Sequence, residues 1–384
     1  MNILWLANTQ HPSKADHPTP WVTALANGLM ATGNVTINIV TYNQYISHDD
    51  ELVRDGVKYT FLKVPKDKWD MMRGYTQRIR VVKNYLKDIA GRYDLLHIHG
   101  AEQQYQVMGS DLRLPKVLSA QGFIRECYKY LPRKPEYRHL SWLIAGYYEK
   151  RYLPTVKHFI CRTHWDKSII RDMQPRAVVH HNWELMRPEF YQPIDRALGR
   201  HRNAVLFVGG TNNLKGIREA LQVVDKLRRT EPVRLIVTGG GSKAQLLQLA
   251  TSLSLTNLPP EAIEHRGMLT AAQLWDVYHE AFCLLHPSYI DNSPNSVCEA
   301  QLAGLPVVAS NVGGVSSLVE HEVTGMLTSL QVNELLRATQ QLWESRDLRA
   351  QIINQARAVS EERFDRHKII TNTEAIYQKV IQNP

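Results

Sequence analysis

Residues His286–Gly314 read HPSYIDNSPNSVCEAQLAGLPVVASNVGG. An apolar run, AFCLLH, leads into this stretch and ends at Pro287, which marks a strand followed by a loop. A helix is expected from about Pro294, with Ser293 as its N-cap and Pro294 at the first helical position, where a missing N–H costs nothing. Gly304 stops that helix and Pro306 forbids its continuation. A strand whose carboxyl end opens into a helix N-terminus is half of a doubly wound α/β unit. The unpaired N–H groups of Asn295, Ser296 and Val297 then make an anion site suited to phosphates. Glu299 lies one turn further on, where an acceptor-only carboxylate suits a vicinal diol such as a ribose. Asp291 falls in the loop before the helix, placed to hold hydroxyls of whatever hangs from the phosphates.

The same rhythm runs through most of the chain. Strands are expected at NILWLAN, TINIVTY, LLHIHG, KHFIC, AVLFVGG, RLIVTGG, AFCLLHPS and PVVAS, with amphipathic stretches such as WVTALANGLMATG, GIREALQVVDKLRRT and KAQLLQLATSLSL between them. Strand–helix alternation implies parallel sheets with helices on both faces. The rhythm restarts near Asn203 after an irregular segment, so the boundary is placed within about 185–202. The expected fold is α/β, with two Rossmann-like doubly wound domains. The first spans residues 1–188 with the closing helix 365–384 packed back on it; the second spans 189–364. Ligands of such pairs are expected in the cleft between the carboxyl ends of their strands.

A chain of 384 residues suits two ordinary domains, and 43% hydrophobic with 22% charged residues is normal for a globular protein. No apolar run approaches the roughly 18 residues of a membrane span, and the start reads as a strand and not as a signal peptide. The four cysteines, Cys127, Cys161, Cys283 and Cys298, form no metal spacing or dense framework. A reduced, cytosolic protein with no metal is expected. Residues 1–200 hold 29 Lys+Arg against 19 Asp+Glu, whereas residues 201–384 hold 17 against 18. The basic half carries clusters at 63–92 and 113–151, the second interleaved with tyrosines. That mix suits an anionic membrane surface or a phosphorylated acceptor, and equally suits ordinary solvated helix faces. No nucleic-acid reading module is present.

The His286–Gly314 segment resembles the donor site of family 4 retaining glycosyltransferases, the GT-B enzymes also called glycosyl transferases group 1. The matching positions are Pro287, Ser288, Asp291, Glu299, Ala300, Gly304, Pro306–Ala309, Gly313 and Gly314. The resemblance implies that Glu299 holds the nucleotide ribose and that Asp291, here one methylene shorter than the usual Glu, touches the donor sugar. Upstream, VLFVGGTNNLKGIREAL resembles the family's segment opening the second domain. It implies donor contacts from Gly209, Gly210, Thr211 and Asn212, and a diphosphate role for Lys215. Gly210 stands where the family has an arginine, with Arg162 or the run Thr211–Asn213 as candidate substitutes. The loop Arg266–Met268 resembles a base-contacting segment, which brings in Met268. In YDLLHIHG, His99 is expected at a strand end beside the donor sugar, with His97 pointing to the opposite side. The first loop lacks the family's Gly-Gly; His11, Lys14, Asp16 and His17 are assigned to acceptor recognition instead, as is Arg162.

The resemblance implies transfer of a sugar from a nucleotide-diphosphate sugar, a substrate and not a cofactor, to a glycan or lipid-linked glycan, in cell-surface polysaccharide biosynthesis. Catalytic roles fall on His99, Lys215 and Asp291. The location implied is the cytoplasm, at the inner face of the membrane. Two other readings stay open: a nucleotide-sugar epimerase of related fold, and a non-catalytic nucleotide-sugar-binding protein.

Overall fold

The computed structural model describes residues 1–11, 20–133, 135–194 and 202–384. Among them the chain divides into two compact units, Met1–Leu185 with Phe364–Pro384, and Met186–Arg363.

The first unit is built on β1 (Asn2–Leu6), β2 (Thr36–Asn43), β3 (Asp50–Arg54), β4 (Val57–Lys63), β5 (Leu95–His99), β6 (Lys116–Ser119), β7 (His158–Cys161) and β8 (Val178–His181). They form one sheet in the order β3-β4-β2-β1-β5-β6-β7-β8. Successive residues of a strand face opposite sides, and here both sides are apolar. Leu4, Leu6, Leu96 and Ile98 enter one buried cluster, while Ile3, Trp5 and Leu95 enter another. A sheet covered on both faces explains why β1 reads as a near-continuous apolar run and why β5 is buried throughout. The helix Arg366–Gln382 belongs to this unit: Tyr377 is fully buried, its hydroxyl 2.7 Å from His97 Nδ1, and Asn182 Nδ2 donates to Ile369 O at 3.0 Å.

One strand departs from the parallel expectation. β3 runs antiparallel to β4, joined through Asp55 (φ 51°) and Gly56 (φ 79°). Two consecutive left-handed residues make the tight turn that suits the twist of a hairpin, and Asp-Gly is its usual sequence. β3 forms the sheet edge and is largely exposed, with Asp50, Glu51 and Arg54 discouraging further pairing.

The second unit is a six-stranded sheet with every pairing parallel, in the order β11-β10-β9-β12-β13-β14. Its strands are β9 (Ala204–Val208), β10 (Arg234–Thr238), β11 (Ile263–His265), β12 (Ala281–His286), β13 (Val307–Ser310) and β14 (Met326–Thr328). The helices Ile217–Leu227 and Lys243–Ser252 follow β9 and β10. The loops leaving β9 to β13 thus gather at one end of the sheet, the position at which doubly wound proteins hold their ligands.

Candidate functional site

The helix that follows β12 spans Asn295–Ala303 and is capped by the backbone of Pro294, one residue later than the sequence suggested. No side chain caps it, so Ser293 is not the N-cap. The first turn is tight: the N–H groups of Val297 and Cys298 both donate to Pro294 O, at 3.0 and 3.2 Å. Val297 is therefore not a free donor, and the candidate anion site reduces to the Asn295 and Ser296 N–H groups, which have no acceptor among the described residues. At the far end Gly304 takes a left-handed conformation (φ 82°) and releases the chain towards β13.

Glu299 sits on this helix, 2% exposed. Its two oxygens accept from Arg187 Nε and Nη2, both at 2.8 Å. Burial raises the Glu299 carboxyl above its usual range, and Arg187 offsets part of that rise. Arg187 in turn lies over the Phe190 ring, 4.8 Å from its centre. A carboxylate engaged edge-on by a guanidinium keeps one lone pair per oxygen, so Glu299 remains able to accept from a diol. Nothing in the sequence pointed to Arg187. It stands 112 positions from Glu299 in an irregular segment, and only three-dimensional structure joins them.

Lys215 and Asp291 meet on the neighbouring loops. Lys215 Nζ donates to Asp291 Oδ2 at 2.5 Å, and His286 Nε2 lies 3.2 Å from the same oxygen. Burial alone would raise the Asp291 carboxyl, but the Lys215 charge, then His286, outweigh it and hold the group well below the usual carboxylate range. No motif in the sequence singles out His286 either. Its place at the last residue of β12 was the available signal. Two glycines make the contact possible. At Gly216 (φ 82°) a Cβ would stand 1.8 Å from Pro287 O, and at Gly313 (φ 51°) one would stand 2.0 Å from Asp291 O. The loops are further tied by Tyr289 N–H and Ser288 Oγ, which both donate to Leu214 O at 2.9 and 3.1 Å.

Gly210 has the same kind of explanation. Its φ is 58°, and a Cβ there would lie 2.1 Å from Gly240 O. The loop after β9 is pressed against the loop after β10: Thr211 N–H donates to Gly240 O at 3.0 Å, and Gly209 and Gly210 N–H both donate to Thr238 O. This backbone admits no arginine at 210. Asn212 caps the next turn through Leu214 N–H at 3.0 Å. Gly267 O accepts from Gly239 N–H at 2.8 Å, which fixes the loop bearing Met268, itself 56% exposed. The Arg266 side chain is turned into a network with Glu264, Glu280 and Arg234.

The other candidate residues belong to the first unit. His99 ends β5, 7% exposed, and its Nε2 makes no hydrogen bond among the described residues. Burial, then the neighbouring His97 and Arg162, push its pKa well below the usual histidine value. The expectation for His97 fails: the two rings lie on the same side, with centroids 3.8 Å apart. Residues i and i+2 of a strand share a face, and His97 is locked there by Tyr377 and by Ser119 Oγ at 2.8 Å. Arg162 is 5% exposed and held by Glu184 at 2.5 Å, by Gln121 and by Ala120 O. His11 Nε2 is 2.7 Å from Asp50 Oδ2. Lys14, Asp16 and His17 lie outside the described residues. Among those described, no group of three or more His, Cys, Asp or Glu could hold a metal ion.

A helix tip, a lysine and a buried carboxylate gather at the carboxyl ends of adjacent parallel strands of an α/β protein, an arrangement that could hold a phosphorylated ligand. Residues 193–359 match the glycosyl transferases group 1 family. It is 33% identical to a D-inositol 3-phosphate glycosyltransferase of Rhodococcus jostii over 157 residues, 36% of this chain and 33% of that protein. A second of that name, from Mycobacterium marinum, is 35% identical over 158 residues, 38% and 32% of the two chains. The chain thus spans about a third of the length of the curated relatives it matches. The GT-B fold is shared with a sucrose-phosphate synthase of Thermosynechococcus elongatus, at TM-score 0.81, 17% identity and full coverage of both chains. It is also shared with Anabaena HepE in complex with UDP-glucose, at TM-score 0.69 and 17% identity over 99% of each chain. WaaG, a glycosyltransferase involved in lipopolysaccharide biosynthesis, matches at TM-score 0.71 and 14% identity, covering 98% of this chain and 99% of that one.

Proposed function

We propose that this protein is a retaining glycosyltransferase that moves a sugar from a nucleotide-diphosphate sugar to a hydroxyl of a glycan or lipid-linked glycan. The observation that carries the reading is the placement of Lys215 and the Asn295–Ser296 tip on the loops of adjacent strands, with Glu299 one turn into the same helix. Cleavage of the anomeric bond puts negative charge on the leaving diphosphate, and a fixed ammonium with two backbone N–H groups would stabilise that charge. Glu299, oriented by Arg187, would take the ribose hydroxyls. Asp291 would turn from Lys215 to the donor sugar as the diphosphate takes its place beside the ammonium. The loops holding Gly209–Asn212 and Met268 would border the nucleotide, and the family resemblance assigns a catalytic role to His99.

UDP-glucose is the first donor to test, since the Anabaena neighbour was crystallised with it. A role in cell-surface polysaccharide assembly, on the inner face of the membrane, accords with the family resemblance and with an exposed apolar and basic face on the first unit. The helix Tyr137–Tyr152 presents Leu140, Leu143 and Tyr147 outward, beside exposed Trp69 and Met72. No helix among the described residues is long and apolar enough to cross a membrane. The deciding experiment incubates the full chain with a set of UDP-, GDP- and ADP-sugars and candidate acceptors, and follows both products. Free nucleoside diphosphate with a glycosylated acceptor of unchanged anomeric configuration supports the proposal. An epimerised donor without transfer identifies an epimerase, and binding without turnover identifies a sensor.

A further inference from the structure

His97 and His99 stand two residues apart on β5, and the alternation of a strand puts both rings on one face of the sheet. Both are buried, with ring centroids 3.8 Å apart. The Trp5 ring packs against the pair, 4.3 Å from His99 and 5.4 Å from His97. In so close a packing the plane of one ring limits the plane of its neighbour.

His97 is fixed independently of His99. Its Nδ1 is 2.7 Å from the Tyr377 hydroxyl, and its Nε2 is 2.8 Å from Ser119 Oγ. The surroundings set the direction of these bonds. One of the two hydroxyl protons must go without a protein acceptor, and that costs less at half-buried Ser119 than at fully buried Tyr377. Tyr377 therefore donates to Nδ1, and Nε2 carries the ring proton and donates to Ser119. Burial pushes the His97 pKa down to about 3, so the ring stays neutral with both nitrogens committed. It can neither pass a proton to His99 nor engage a ligand; what it can do is hold a plane.

The other end of this arrangement is equally firm. Tyr377 belongs to the helix Arg366–Gln382, whose Ile369, Ile376, Tyr377 and Val380 enter the same buried cluster as Trp5. Asn182 ties that helix at Ile369 O and at Thr373 Oγ1, 3.0 and 2.9 Å away. His99 differs from His97 in one respect: its Nε2, though buried, has no hydrogen-bond partner among the described residues. Arg162 and Glu184, ion-paired with each other, line the same small cavity as the two histidines.

We propose that Tyr377 and His97 are positioning residues for His99: Tyr377 fixes the plane of His97, and His97 fixes the direction in which His99 offers Nε2 to a ligand. The proposal rests on the transferase reading above for what His99 then does in the reaction, but not for the orientation of its ring.

The test uses the full chain with isotope-labelled histidine, first without donor. Tyr377→Phe deletes one hydroxyl, and His97→Gln keeps a donor and an acceptor but removes the ring. Imidazole NMR of the parent should show His97 in the Nε2–H form and both histidines neutral down to about pH 5. In each variant the His99 resonances should shift. In His97→Gln, where water gains room, the His99 titration should also move up towards the ordinary histidine value of about 6.5. Turnover of UDP-glucose and the other donors should then show kcat lowered at least about tenfold with donor KM within about twofold, because orientation and not binding is lost. A residue that only stabilised the fold would lower the melting temperature and leave these readouts in place. The proposal is overturned if the His99 resonances stay where they are in both variants, or if kcat ignores a shift that does occur. Shifted resonances in a chain that turns over no donor would sink the transferase reading and leave the positioning standing. Transfer with unmoved resonances would do the reverse.

Discussion

Arg187 grips Glu299 through two parallel 2.8 Å hydrogen bonds, although the two residues stand 112 positions apart. Both lie in the second unit, and the carboxylate they share is the one assigned to the nucleotide ribose. The guanidinium does more than neutralise a buried charge. Its planar fork fixes the plane of the carboxylate, and with it the direction of the lone pairs left for a ligand.

Removing Arg187 should therefore cost stability in a pH-dependent way. In Arg187→Gln the Glu299 carboxyl loses the partner that offsets burial, so its folded-state pKa rises further above the unfolded value of about 4.3. The folded state then holds a proton that the unfolded state has lost, and stability falls as pH rises from about 4.3 through the raised value. Thermal melts across that range should show a deficit that grows with pH, reaching about 3–5 kcal/mol near neutrality. The double variant Arg187→Gln with Glu299→Gln should recover part of it, since no buried charge is left alone. A deficit independent of pH would mean that Arg187 acts by packing on Phe190 alone.

In the native protein Asp291, paired with Lys215, contributes to stability with a pH dependence opposite to that of Glu299. Asp291 is held below the ordinary carboxylate range, so it contributes stability above the unfolded value of about 3.9, and that contribution is lost as pH falls through the depressed one. In Lys215→Met the deficit should accordingly be widest at neutral pH and narrow under acid. Transfer should fall by about 10²–10³, the usual cost of deleting one stabiliser of a developing anion. A normal turnover number in Lys215→Met would remove the lysine from the chemistry.

Much of this architecture was readable from residues. Eight strands announced themselves as apolar runs because both faces of their sheets are buried, as in β1 and β12. Six strands went unread: β6 and β8 have four residues, β11 and β14 have three, β3 is an edge, and β4, seven residues and mostly buried, is interrupted by Lys58 and Thr60. The hairpin of β3 and β4 had a usable signal in Asp55-Gly56, and the shared face of His97 and His99 follows from simple alternation. Arg187 had none. An arginine in an irregular segment carries no periodicity, and its partner is chosen by the fold. Likewise Gly210 reads as a lost arginine in sequence, whereas the structure gives the reason in a backbone carbonyl 2.1 Å from where a Cβ would be.

That reason is testable. Gly210→Ala forces a left-handed residue to carry a Cβ against Gly240 O, and strain of this kind costs on the order of 1–3 kcal/mol before the clash is counted. Gly240→Ala is the control, because nothing lies within 4 Å of a Cβ built there. Melting temperature should drop for Gly210→Ala and scarcely move for Gly240→Ala. Gly210→Arg, which restores the family's residue, should be at least as damaging as Gly210→Ala and should weaken nucleotide binding. A gain in donor affinity from Gly210→Arg would show that the two glycine loops part more easily than their contacts imply.

The exposed face of the first unit separates a membrane partner from an ordinary solvated surface. Leu140, Leu143 and Tyr147 recur at helical spacing on the outer side of Tyr137–Tyr152, exposed by 46%, 54% and 60%. The helix is fastened beside Trp69 and Met72 by Tyr75 to Ser141 and Tyr148 to Gly74 O, each at 2.7 Å, so the two apolar groups are neighbours. Exposed Lys66, Lys68 and Arg73 flank Trp69 and Met72 in sequence, and exposed Arg138, Lys150 and Arg151 lie on the same helix as Leu140, Leu143 and Tyr147. Apolar side chains accompanied by cations suit the headgroup region of an anionic bilayer, where burial and charge act together. The full chain should therefore sediment with phosphatidylglycerol vesicles and much less with phosphatidylcholine alone. Near 1 M salt, where the screening length is about 3 Å, most of it should be released. Leu143→Glu and Trp69→Glu should each reduce the bound fraction several-fold at low salt without changing the melting temperature. Binding that ignores salt and lipid charge, or no binding at all, would leave these side chains as ordinary solvated groups.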